Sequence, residues 1–157
     1  MAKTITVGEI MARKLVTLRP DMDMQQAIEL LLKHKISGAT VVDQDRNIVG
    51  MLSEKDCLRI FANGAYNSLP NAKVSDYMAK NVITISPEAD LFTVADLFLK
   101  NPFRRLPVVE NGTLVGQVSR RDILAGSRKI WEESPIKKEW TDSKYIPDEI
   151  RARLESK

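Results

Sequence analysis

The chain has 157 residues, enough for one well-buried core and too few for two large independent domains, and its 43% hydrophobic and 29% charged residues are those of an ordinary soluble globular protein. The net charge of +3 comes from interspersed charges of both signs with no block of like charge, so no polybasic arm points to nucleic acid. A single cysteine excludes an intrachain disulfide, the polar start lacks the apolar core of a signal peptide, and no stretch approaches the roughly 18 apolar residues of a membrane span, so the expectation is a cytoplasmic protein with no membrane contact.

In chain order, Leu15-Val16-Thr17-Leu18 reads as a short strand, stopped by Arg19-Pro20 because proline offers no ladder donor. Asp23 caps a helix with Gln26 facing back toward the cap, and Met24, Ala27, Ile28 and Leu31 line one face of it. That helix should end between Lys35 and Gly38. Ala39-Thr40-Val41-Val42 and Ile48-Val49-Gly50-Met51-Leu52 form a hairpin around a polar turn at 43–47. From Ser53 the chain is helical toward Phe61, ending before Gly64, which gives the order β-α-β-β-α.

Residues 63–73, with Gly64, Asn67, Ser68, Pro70 and Asn71, read as a connector. The pattern then repeats: strand Val82-Ile83-Thr84-Ile85, break at Ser86-Pro87, and a helix capped by Asp90 with the stripe Leu91, Val94, Ala95 and Phe98. A hairpin turns at Asn111-Gly112, the strongest short hairpin signal, and Ser119 opens the last helix. After Gly126 a charged tail holds both tryptophans, Trp131 and Trp140, and residues 148–154 suit a short capped helix.

The chain therefore says one thing twice. Val7-Gly8-Glu9-Ile10-Met11, followed by Thr17 and Pro20, recurs as Val74-Ser75-Asp76-Tyr77-Met78, followed by Thr84 and Pro87. Gly50-Met51-Leu52-Ser53-Glu54-Lys55-Asp56 recurs as Gly116-Gln117-Val118-Ser119-Arg120-Arg121-Asp122. Two copies of a long period predict two similar halves, 7–62 and 74–126, joined by the connector 63–73, followed by the tail 127–157 and packed about a pseudo-two-fold axis. Any groove between them would come in related pairs.

The recurring Gly-x-x-Ser-x-x-Asp lies where a strand becomes a helix, a natural place for an anion because free N–H groups and the positive end of the helix dipole point outward. Gly50 and Gly116 would let a ligand approach the strand, Ser53 and Ser119 offer a hydroxyl, and Asp56 and Asp122 offer acceptors suited to the paired hydroxyls of a ribose. The same residues have a second reading. A serine cap with an acid at N3 starts a helix with no ligand present, contributing about 1 kcal/mol.

The order Val-x-x-Ile/Tyr-Met, Val-x-Thr, Pro, amphipathic helix, Val-Val-Asp/Glu, then Val-Gly-x-x-Ser-x-x-Asp resembles the CBS domain, named for cystathionine β-synthase. Two in tandem resemble the Bateman module, from Val7 to Leu124. The resemblance implies a mixed α/β (α+β) fold of two β-α-β-β-α repeats and a regulatory module, with AMP, ADP, ATP or S-adenosylmethionine held in clefts between the repeats. It carries Ser53 and Asp56 over to one cleft with Thr84, Ile85, Arg105, Leu106, Pro107 and Val108. Ser119 and Asp122 go to the other, with Thr17, Leu18, Gly38, Ala39, Thr40 and Val41. Thr40 stands where the second repeat has Pro107, the commoner family choice. Arg104 and Arg105 stand where the first repeat has Ser37 and Gly38, and with Arg120 and Arg121 they are placed to meet phosphates or to be solvated surface charge.

No enzyme emerges from the residues. The only histidine, His34, lies at the polar end of a helix, and Cys57 reads as a small buried residue. One Cys and one His make no zinc set, and neither G-x-G-x-x-G nor G-x-x-x-x-G-K-[ST] occurs. The expectation is no catalytic residue, no metal and no required cofactor, only an adenosine nucleotide as regulatory ligand. The alternatives are a ligand-free oligomerisation scaffold and, third, a nucleic-acid binder. The resemblance also implies a homodimer and an unidentified regulated protein target.

Overall fold

The computed structural model describes residues 4–64, 67, 69 and 71–133. The tail helix expected at 148–154 and Trp140 lie outside them. Each half opens on one helical turn, α1 (Val7–Ile10) and α4 (Val74–Tyr77), at the segments whose recurrence marks the start of each repeat. Their starts are held by acids three residues on: the Thr6 N–H donates to Glu9 Oε2 at 2.8 Å, and the Lys73 N–H to Asp76 Oδ2 at 3.1 Å.

In the first half β1 (Thr17–Leu18) runs parallel to β2 (Gly38–Val42), which pairs antiparallel with β3 (Ile48–Ser53). The second half has β4 (Arg105–Glu110) and β5 (Thr113–Ser119), with a register shift at Val108/Val109 matching that at Val41/Val42. The strand predicted at 82–85 is reduced to one parallel bridge, Ile85 to Val108. Ile85 still donates to the Pro107 carbonyl at 3.1 Å and accepts from Val109 at 2.8 Å. Pro107, however, sits at the position of Thr40 and has no N–H to extend the ladder. The turns follow their chemistry: Asp43 Oδ1 accepts from the N–H groups of Asp45 and Asn47, both at 2.9 Å, and Asn111 and Gly112 take φ of 51° and 80°.

Two helices cover each sheet: α2 (Met24–Lys33) and α3 (Glu54–Ala62) in the first half, α5 (Leu91–Lys100) and α6 (Arg120–Glu133) in the second. The predicted stripes face inward. Met24, Ala27 and Leu31 are buried on α2, and Leu91, Val94 and Phe98 on α5. Each large side chain so placed contributes about 1.5–3 kcal/mol. Phe98 also meets Phe103 edge to face, with centroids 5.8 Å apart.

The two cores are not built from contiguous chain. Ile5, Val7 and Met11 pack with Ile85, Val94, Leu106 and Val118 of the second half, whereas Ala72 and Val74 pack with Leu18, Met24 and Leu52 of the first. Each half thus lends its opening segment to the other. The exchange is reciprocal: Thr6 bridges Asp90 as Lys73 bridges Asp23, and Ala12 bridges Gln117 as Ala79 bridges Met51. Contacts that recur with partners swapped are the mark of a two-fold relation. The hairpin turns also meet, the Leu114 N–H donating to the Arg46 carbonyl at 3.1 Å.

Candidate functional site

β3 runs directly into α3 and β5 into α6, and both junctions have the same geometry. Ser53 Oγ accepts from the Asp56 N–H at 3.2 Å, while Asp56 Oδ2 accepts from the Ser53 N–H and Oγ–H, each at 2.9 Å. Ser119 and Asp122 repeat these contacts at 3.2, 2.8 and 2.9 Å. One oxygen of each acid is therefore committed to its own helix cap, and only Oδ1 is left for a ligand. The two acids differ at that oxygen. Asp56 is 8% exposed and its Oδ1 lies 3.6 Å from Arg59. Asp122 is half-buried, and its Oδ1 has no partner among the described residues.

Two expectations about the glycines need correction. A Cβ at Gly50 would collide with the Met78 side chain and come within 2.9 Å of the Ala79 carbonyl oxygen. One at Gly116 would collide with Met11 and lie 3.0 Å from the Ala12 carbonyl oxygen. The space over both glycines is taken by the exchanged opening segments. Glycine is required there for backbone packing, not for the approach of a ligand.

The remaining candidates divide by burial. Leu18, Ala39 and Val41 lie in one core and Ile85, Leu106 and Val108 in the other, and Thr40 and Pro107 are buried beside them. Such residues have only backbone to offer a cleft. Thr17 is half-buried and Thr84 exposed. Arg120 donates to the Phe103 carbonyl at 3.3 Å, and Arg121 is exposed without a partner among the described residues.

Arg105 joins the halves. Its guanidinium donates to the Gly38 carbonyl at 2.9 Å and to Ser37 Oγ at 2.8 Å. Gly38 is the position that matches Arg105 in the other repeat, so the arginine reaches across the pseudo-axis to its own counterpart. Burial and the neighbouring Arg104 charge push its pKa down, with only Glu54 opposing them. Beside it opens a void of about 370 Å³, mouth included, bounded by Lys14, Leu15 and Val16 before β1, Ile36 and Gly38 at β2, and Ala12, Arg105 and Gln117. Of these only Gly38 and Arg105 were singled out in the sequence. Gln117 is a variable position of the recurring motif, Leu15 and Val16 belong to the predicted first strand, and Ala12, Lys14 and Ile36 carry no motif. Cys57 is buried, and desolvation followed by the Asp56 charge pushes its pKa up to about 11, which makes it a poor nucleophile.

Residues 7–63 and 74–128 each match the family profile described as "CBS domain". The chain belongs to the CBS domain family. This CBS pair is 33% identical over 118 residues to the uncharacterized protein MJ1225 of Methanocaldococcus jannaschii, covering 75% of this chain and 41% of that protein. It therefore spans less than half the length of that relative. Among solved structures it superposes on CBSX2 of Arabidopsis thaliana, crystallised in complex with AMP, with a TM-score of 0.71 at 29% identity, over 80% of this chain and 97% of the other. It superposes on the CBS pair of protein MJ0100, in complex with 5′-methylthioadenosine and S-adenosyl-L-methionine, with a TM-score of 0.69 at 25% identity, over 80% and 99%. No helix among the described residues of this CBS pair is long and apolar enough to cross a membrane.

Proposed function

We propose that this CBS pair is a regulatory, non-catalytic module that binds an adenosine ligand, AMP, ADP, ATP or S-adenosylmethionine, between its repeats. The observation that carries this reading is the open cleft bounded by both repeats and holding a half-buried arginine whose hydrogen bonds go only to neutral acceptors. A cation so placed gains from an anionic ligand. The adenosine compounds bound by CBSX2 and by MJ0100 support the ligand class. Titration calorimetry against the four compounds tests it, with Asp122→Ala as control. Ligand at about 100 times its Kd adds roughly 2.7 kcal/mol to folding stability, and no heat from any of them at millimolar concentration would end the proposal.

A second reading, the ligand-free scaffold, is favoured by one observation: both acids already serve their own helix caps. It requires a melting temperature indifferent to all four ligands. On either reading the module is a homodimer. Exposed leucines recur at matched positions of the two halves, Leu32 with Leu99 and Leu58 with Leu124, at 72, 86, 63 and 71% exposure, which gives a repeated apolar helix face suited to a two-fold partner. Light scattering should give twice the chain mass. Leu58→Glu with Leu124→Glu should return it to one, and a dimer that persists in that variant places the interface elsewhere.

A further inference from the structure

We infer that the two clefts of this module are chemically unequal, and that it takes one phosphate-bearing nucleotide per chain, in the cleft beside Asp122, with Lys14 and Arg105 on the phosphate. The inference rests on the adenosine-ligand reading above and adds the site, the stoichiometry and the charge of the ligand.

The void beside Arg105 is bounded by two cations, Lys14 and Arg105, and by no acid. Neither has a carboxylate within ion-pair distance among the described residues. Arg105 donates instead to a carbonyl and a hydroxyl. A half-buried guanidinium with no carboxylate in contact, Glu54 acting on it only from a distance, is an incomplete arrangement, and a phosphate completes it with short, charge-assisted bonds. Gln117 borders the same void and stands two residues before Ser119, on the same face of β5, and Arg105 is the cross-strand partner of Ser119, which puts the residue that caps Asp122 next along that face. A nucleotide bridges these two chemistries, with ribose hydroxyls at the acid and phosphate at the cations.

The mate cleft lacks the second cation and the open acid. Where the first repeat has Lys14 the second has Asn81, and where β5 has Gln117 β3 has Met51; Arg105 and its counterpart Gly38 both line the void and so do not distinguish the two clefts. The helix starts differ in the same sense: Arg120 and Arg121 follow Ser119, whereas Glu54 and Lys55 follow Ser53. The mate acid, Asp56, is nearly fully buried and faces Arg59. Exact repeats would have made two equal sites. Here the departures from the repeat gather the positive charge on one side of the axis.

The test is calorimetry of the full chain with AMP and with adenosine, comparing wild type, Lys14→Ala and Asn81→Ala. Both substituted side chains are exposed, so the variants should fold. AMP is expected to bind with a stoichiometry of one and adenosine at least about tenfold more weakly. Lys14→Ala should cost AMP about five- to tenfold in affinity while leaving adenosine unchanged, and its counterpart Asn81→Ala should change neither. Two equal AMP sites, adenosine binding as tightly as AMP, or equal effects of the two variants would overturn the inference and leave the adenosine reading standing. Absence of binding by both compounds would overturn the inference, and the adenosine reading falls with it when ADP, ATP and S-adenosylmethionine give no heat either.

Discussion

Gly116→Ala separates a packing role for the recurring glycine from a ligand-facing one. An added Cβ meets three groups: the Met11 sulfur, Met11 Cγ at 3.0 Å and the Ala12 carbonyl oxygen at 3.0 Å. The methionine has three rotatable bonds and gives way at small cost. The carbonyl does not, because Ala12 and Gln117 exchange hydrogen bonds of 2.8 and 2.9 Å that fix the opening segment against β5. Relief requires stretching that pair or moving α1 off the second core, where Val7 is fully buried and Met11 is 9% exposed. Overpacking of this kind costs about 1–3 kcal/mol, and the rigid carbonyl puts the expectation near 2. For a chain of this size that lowers the melting temperature by roughly 4–8 °C. Urea denaturation monitored by circular dichroism gives the free energy, and nucleotide titration well below the melting point gives the affinity. Stability should fall while affinity per folded molecule is retained. An unchanged urea midpoint, or lost affinity at full stability, refutes the packing account. Adding Met11→Ala should recover part of the cost, a coupling on the order of 1 kcal/mol, since the two side chains compete for one space.

Ser53→Ala and Ser119→Ala should each cost the ligand-free protein about 1 kcal/mol, because each hydroxyl both accepts from its N3 amide and donates to its carboxylate; ligand-free stabilities equal to wild type would deny the cap. Acid should destabilise the fold through Asp90, whose pKa is lowered by the Thr93 hydroxyl at 2.7 Å and amide at 2.9 Å, and through Asp43, held down chiefly by the Asn47 amide. Their folded pKa lies below the unfolded value near about 4, so this stability is present above that pH and is lost as pH falls through the folded pKa. Asp90→Asn should flatten the fall of the urea midpoint between about pH 5 and 2, and parallel wild-type and mutant curves would contradict the assignment. Cys57, with its pKa near 11, should react with a thiol reagent at neutral pH only as fast as the protein opens; prompt labelling of the folded chain would show the thiol to be accessible.

Features that depend on neighbours in sequence were readable in advance. The helix stripes, the Asn111-Gly112 turn and the serine caps are set by residues a few positions apart, and the structure has each where the pattern puts it. The strand at 82–85 failed for a reason that is not local: Pro107, across the sheet from it, is a missing donor. The glycines stand out in the repeat, but their partners do not, because Met11 and Met78 reach them from the far half of the chain.

By itself, then, the sequence determined that there are two halves of one repeated pattern, each with a helix, a hairpin and a serine and an aspartate at the head of its last helix, because repeat spacing, capping and hairpin chemistry act over short distances. Only the tertiary structure decided which half each opening segment completes, where Arg105 goes, and that Asp56 is closed in while Asp122 keeps one oxygen open. Those outcomes depend on contacts between residues a whole repeat apart. Two nearly equal sequences leave such pairings degenerate until packing across the axis selects one.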